Sequence, residues 1–217
     1  MGWKASCVFV AYDKADFLTR PLMHDTAHAT RLCEELGYSG FQPGEMTSFD
    51  IAIYPRGKEL YIGAYDEGCI IANGHLCDAL TTEPEKPGKI AGTSAQGQAA
   101  GTKLLALYPQ ARILALVLHS VVDLWGFSYY EAGQLKRATW GAADDGLMRD
   151  FGEPFPEESP YRQGEDWKNM IDGEDLCFAV SARLLGARLD MLPFENIPLQ
   201  QFTPAKKGIW PFSLLSS

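Results

Sequence analysis

Ala111-Arg-Ile-Leu-Ala-Leu-Val-Leu-His-Ser120, continued by Val121-Val-Asp-Leu-Trp-Gly-Phe-Ser-Tyr-Tyr130, decides how this chain folds. The first ten residues are a strongly apolar, strand-like run, and the next ten continue in β-forming residues. Glu131-Ala-Gly-Gln134 then supplies a turn, and Leu135 to Trp140 runs back. This is the clearest hairpin signal in the sequence.

Working toward the N-terminus, 95–101 belongs to a stretch, 81–101, that is rich in Gly, Pro, Ala, Thr and Ser and reads as a mobile loop or a boundary between two halves. Its tail, Gln98 to Leu107, reads as a helix stopped by Pro109. Further back, Cys69 to Ala72 is a short apolar run. Phe49 to Tyr54 and Glu59 to Tyr65 alternate and predict a hairpin around Pro55-Arg-Gly-Lys58. Asp25 to Leu36 predicts a helix, with Ala29, Leu32 and Leu36 on one face and Gly37 as its stop. Ser6 to Tyr12 predicts a buried strand. Toward the C-terminus, 147–161 is polar and punctuated by proline. Gly173 to Leu189 predicts a helix with acids at its start, Leu176, Val180 and Leu184 on one face, and Arg183 and Arg188 toward its end. Leu199 to Thr203 predicts a last strand. The expected fold class is α+β, a mainly antiparallel sheet with three helices packed on it, because helices are scattered between hairpins. The expected organisation is one domain over 1–203 followed by a tail over 204–217, whose Ile209, Trp210, Phe212 and Leu214 are apolar enough to dock on the body or on a partner.

The 217 residues suffice to bury a core without staples. No apolar run approaches the roughly 18 residues that span a bilayer. Five cysteines (Cys7, Cys33, Cys69, Cys77 and Cys177) show no C-x-x-C pair, and the first residues lack the pattern of a secretory signal, so a reduced, cytoplasmic protein is expected. The net charge of −9 opposes direct binding to nucleic acid or to an anionic membrane. That charge is localised. Between Asp123 and Asp175 lie thirteen carboxylates against five basic residues, interleaved with Trp125, Tyr129, Tyr130, Trp140, Phe151, Phe155, Tyr161 and Trp167.

The candidate chemical motifs are incomplete. His24 and His28 stand at the i, i+4 spacing by which a helix offers two imidazoles to a metal, but no third ligand is signalled, although His75 or a carboxylate could serve, and a solvated helix face is the simpler reading. Gly92 and Gly97 have the interval of a phosphate loop, yet the Lys that should follow is absent. His119 beside Ser120 lacks the glycine-flanked turn of a nucleophilic serine, so a buried, hydrogen-bonded His119 is the simpler reading, with His119 and Asp123 or a nearby carboxylate as the catalytic alternative. Asp144-Asp145-Gly146 and the acids after it do not alternate as calcium ligands do. No cofactor is implied.

The stretch Leu118-His-Ser-Val-Val-Asp-Leu-Trp-Gly-Phe127, then Tyr130-Glu-Ala-Gly-Gln-Leu-Lys-Arg137, Asp144-Asp-Gly146 and Asp150-Phe-Gly-Glu-Pro154, resembles the central signature of a bacterial family of domain-sized proteins of unknown function. The likeness runs from about Ile113 to Tyr161 and touches Gly173-Glu-Asp-Leu176 and the Met1-Gly2-Trp3-Lys4 start. It implies a bacterial, cytosolic setting and a single-unit fold, and it carries no activity.

Acidity mixed with aromatic residues predicts a surface that captures a basic protein, charge speeding encounter and aromatic anchors holding the complex. The expected function is a non-enzymatic binding protein, in its concrete form a bacterial immunity protein (antitoxin) that masks a toxin. If that toxin is a nuclease, the carboxylates would stand in for phosphate. The residues expected to bind are Trp125, Tyr129, Glu131, Asp144, Asp145, Asp150, Glu153, Glu157 and Glu158. The alternative is a small hydrolase or transferase using His119 with Asp123 or a nearby carboxylate.

Overall fold

A computed structural model describes residues 2–13, 16–81, 94–169 and 171–205. Nine strands form one sheet: β1 (Lys4–Ala11), β2 (Phe41–Ser48), β3 (Leu60–Tyr65), β4 (Gly68–Ala72), β5 (Arg112–His119), β6 (Leu124–Glu131), β7 (Gln134–Ala142), β8 (Gly146–Phe151) and β9 (Pro198–Pro204). Their order is β2-β9-β3-β4-β1-β5-β6-β7-β8, and every neighbouring pair is antiparallel. The helices are α1 (Thr26–Glu35), α2 (Phe49–Ala52), α3 (Gly74–Thr81), α4 (Ala95–Leu107) and α5 (Gly173–Leu185).

The sheet is covered on both faces, which is why its central strands are apolar at every position instead of alternating. From β1, Cys7 and Phe9 point to the face covered by α5 and α2, where Leu176, Val180, Leu184 and Phe49 pack against Leu114, Leu116 and Phe127. Val8 and Val10 point to the other face, where Leu32 of α1, Leu76 of α3 and Leu104 of α4 meet Ile113, Ala115 and Val117. α3 and α4 approach closely because α4 presents Gly97, at which a Cβ would lie 2.2 Å from the His75 carbonyl oxygen.

The α+β class and the antiparallel sheet agree with the sequence expectation, and the predicted strands at Ser6 to Tyr12, Glu59 to Tyr65 and Leu199 to Thr203 all form. Other expectations are corrected. Four helices of eight residues or more are present among the described residues, not three, α3 being the addition. Phe49–Ala52 is a helical turn and not a strand, so β3 makes its hairpin with β4 and not with the segment before it. A turn at 120–123 breaks the long apolar run into β5 and β6. β2 and β8, neither foreseen, are the edge strands. Of the expected mobile loop, 82–93 lies outside the described residues, whereas Ala95 to Gly101 belong to α4, whose N-cap Ser94 accepts from the Gly97 amide. Strands from both sides of that loop share the one sheet, β1 pairing with β4 and β5. The tail from residue 206 lies outside the described residues as well.

Candidate functional site

The expected acidic surface resolves into three places with different chemistry. The first is internal. β7 aims Arg137 into the core, where it is fully buried, and every part of its guanidinium is used. Nε and Nη2 donate to the two oxygens of buried Glu158 at 2.7 Å each, Nη2 also meets Asp150 at 2.6 Å, and Nη1 donates to the Phe151 carbonyl at 2.7 Å. Arg162 closes the ring onto Asp150 at 2.5 Å and Glu158 at 3.2 Å. Burial pushes the Asp150 carboxyl up, but hydrogen bonds from Arg162 and Arg137 outweigh it and hold the group below the usual carboxylate range. Two arginines against two carboxylates make this a neutral clamp that fastens 150–162 to β7. Glu157 pairs with Arg183 at 3.1 Å. Of the expected partner-binding residues Asp150, Glu157 and Glu158, only Glu158 is buried, whereas Asp150 and Glu157 are paired within the molecule and still partly open to solvent.

The aromatic anchors are corrected in the same way. Trp125 is 6% exposed and Tyr129 5% exposed. Trp125 is held between two glycines: a Cβ at Gly173 would fall 1.9 Å from its ring, and one at Gly141 would fall 2.8 Å from it. Tyr129 meets Phe155 edge-on with centroids 5.2 Å apart. Both sit on the face under α5 because residues 125, 127 and 129 of β6 share one side of the pleat.

The second place is the far end of β6. Glu131 and Glu153 are exposed there and line a hollow together with Arg112, Lys136 and Arg183, so the local charge is balanced by cations.

The third place is the opposite end of the sheet, about 24 Å away along β6 at the rise of an antiparallel strand. Two cavities flank it. On the α3 face, a cavity of about 610 Å³ is lined by Tyr54, Val117, Leu124 and Met148, with Asp78, Asp144 and Asp145 supplying charge, and no Lys or Arg is among its described lining residues. On the α5 face, a cavity of about 210 Å³ is lined by Asp123, Asp172 and Glu174, with Lys168 the one cation among its described lining residues. Both share Leu118, His119, Leu124 and Ala142. Burial pushes the Asp78 carboxyl up to about 6 against the opposing influence of His75. Two of the acids have structural duties: Asp172 caps α5 by accepting from the Asp175 amide, and Glu174 accepts from the Trp3 amide at 2.7 Å.

His119 stands at the junction of the cavities, its ring edge-on to Tyr54 with centroids 5.8 Å apart, and its Nδ1 is buried without a hydrogen-bond partner. Asp123 lies on the same rim in a left-handed conformation, φ 43°. The contributions of Asp78 on α3 and of Tyr54 to the larger cavity were missed in the sequence, since residues 73–80 were assigned no element.

His24 and His28 do not share a helical face. α1 starts at Thr26 with Asp25 as its N-cap, so His24 precedes the helix and its Nδ1 accepts from the Ala64 amide at 3.3 Å. His28 Nε2 lies 3.4 Å from the Tyr108 hydroxyl. Among the described residues no group of three or more His, Cys, Asp or Glu is placed to hold a metal ion. All five cysteines are free and buried. No described helix is long and apolar enough to cross a membrane.

The class defined by this geometry is an α+β protein with a single antiparallel sheet, helices on both faces and two acidic cavities at one sheet end. Residues 4–196 match a family of unknown function (DUF6928), and the chain belongs to that family. No curated protein and no solved structure matches the chain.

Proposed function

We propose that this chain is a non-enzymatic binding protein of the immunity (antitoxin) type, cytoplasmic and bacterial, which holds a basic protein partner against the acidic end of its sheet. The observation that carries the reading is the pair of cavities around His119, where six carboxylates face a single lysine among the described lining residues. The larger cavity supports it further: apolar walls with charge of one sign at the edge suit the aliphatic stem and cationic head of lysine or arginine side chains. A nuclease toxin would present such side chains in its own phosphate-binding cleft.

The test uses a fluorescent lysine-rich peptide as probe, followed by anisotropy at low salt. Charge reversal by Asp144→Lys with Asp145→Lys is expected to weaken binding by about tenfold or more, whereas Glu131→Lys with Glu153→Lys, the same change in net charge at the other end, leaves it within about twofold. Equal losses from both pairs would mean that the peptide senses net charge alone and would overturn the reading.

A hydrolase or transferase using His119 is the second reading, favoured by the opening of His119, Ser120 and Asp123 onto one cavity. A histidine acting as general base needs an acceptor that orients its other ring nitrogen. The buried Nδ1 has none here, so binding is preferred.

A further inference from the structure

The turn that joins β5 to β6 carries Val121 and Val122 into solvent, 71% and 58% exposed. The Val122 amide closes the turn onto the His119 carbonyl, and the next residue, Asp123, takes a positive φ. β-Branched residues are poor choices at a turn tip, where Gly, Asn, Asp and Ser are favoured by their backbone freedom or local hydrogen bonds. A non-glycine residue with a left-handed backbone adds local strain. Nothing among the described residues covers the two valines. The ridge they form stands where the two acidic cavities meet, since His119 and Leu124, which bracket the turn, line both. Met148, also exposed, extends the apolar surface into the larger cavity.

We infer that the Val121–Val122 ridge is the hydrophobic centre of the interface, and that the partner segment seated on it alternates apolar with basic residues, the apolar ones packing on the ridge and the basic ones reaching the cavities on either side. This rests on the reading of the acidic end as a binding face and names the chemistry of its occupant. Charge complementarity selects that occupant: an anionic segment would bring like charge up to Asp123, Asp144 and Asp145, whereas basic residues meet them with opposite charge. The arrangement is that of an interface with an apolar centre and a charged rim.

Two fluorescent peptides of equal length and charge separate the inference from the reading beneath it: one alternates Lys and Leu, the other Lys and Ser. The wild-type protein is expected to bind the Lys/Leu peptide about tenfold more tightly than the Lys/Ser peptide. Val121→Ser with Val122→Ser, both on exposed positions that leave the core untouched, should erase that preference and leave the Lys/Ser affinity unchanged. Asp144→Lys with Asp145→Lys should weaken both peptides. A preference that survives the valine changes overturns the ridge while the acidic binding face stands. Loss of neither peptide on charge reversal overturns the binding face itself. Spermidine is the third arm: displacement of the Lys/Leu peptide by spermidine at the peptide's own concentration range would assign the cavities to a small polyamine and overturn the protein-segment proposal.

Discussion

Arg137 shows how a single residue changes the meaning of its neighbours. In the sequence it is one of five bases diluting an acidic stretch. In the fold it is fully buried and neutralises two of the carboxylates expected on the surface, Glu158 and, with Arg162, Asp150. A buried ion pair contributes little net stability, yet breaking one partner is costly because it leaves an uncompensated charge in the core. Arg137→Met is therefore expected to lower unfolding free energy by about 3–5 kcal/mol. The double change Arg137→Met with Glu158→Leu should recover most of that loss. Urea titrations of the three proteins decide it, and a double variant no more stable than the single would show that the clamp acts through something other than charge compensation. The residues of the site were legible in the sequence only in part. His119, Asp123, Asp144 and Asp145 were singled out by motif and charge, but that they line two adjoining cavities at one end of the sheet was not readable, since they lie on separate elements. The burial of Trp125 and Tyr129 was not readable either, because the side of the pleat on which an aromatic falls depends on strand register, which a run of β-formers with apolar residues at consecutive positions does not specify.

At the scale of elements, legibility followed burial. β1, β5 and α5 were readable because each is apolar wherever it meets the core. β2 and β8 were not, since an edge strand that faces solvent carries Pro43, Gly44, Arg149 and Asp150 and no apolar pattern. Phe49-Asp-Ile-Ala52 misled for a different reason. Four residues satisfy period two and period 3.6 alike. The structure settles on the helical choice, with Phe49, Ala52 and Ile53 turned inward and Ile51 outward. Most of α3 falls on residues to which the sequence reading gave no element, and it supplies a titrating group to the larger cavity. The Asp78 carboxyl has a native pKa of about 6, raised from the ordinary 3.8 by burial, so the neutral form is favoured in the fold. The stability this gives is present below the unfolded value and is lost as pH rises through about 6. Asp78→Asn is expected to flatten that slope and to leave the variant more stable than wild type by about 1 kcal/mol at neutral pH, the size reduced by the group's partial exposure. Thermal midpoints measured across that pH range check it. Parallel profiles for the two proteins would show that Asp78 ionises freely in the native state.

Over the whole molecule, charge is sorted by sheet end more than by sequence region. The stretch from Asp123 to Asp175 passes through both ends of β6 and through the core between them. While Glu157 pairs with Arg183 and Asp175 with Arg188, most of its acids therefore fall into a neutral clamp, a balanced hollow near Glu131 and Glu153, and an acidic end near His119. Only the last combines unbalanced charge, concavity and exposed apolar residues, and the account of function stands on that coincidence. Backbone amide chemical shifts recorded during titration with the Lys/Leu peptide test it most directly. The perturbed amides are expected to cluster at 119–124, 142–148 and the start of α3, with Arg112, Glu131 and Glu153 unmoved. Shifts centred on the Glu131 end, or spread evenly around the molecule, would contradict it.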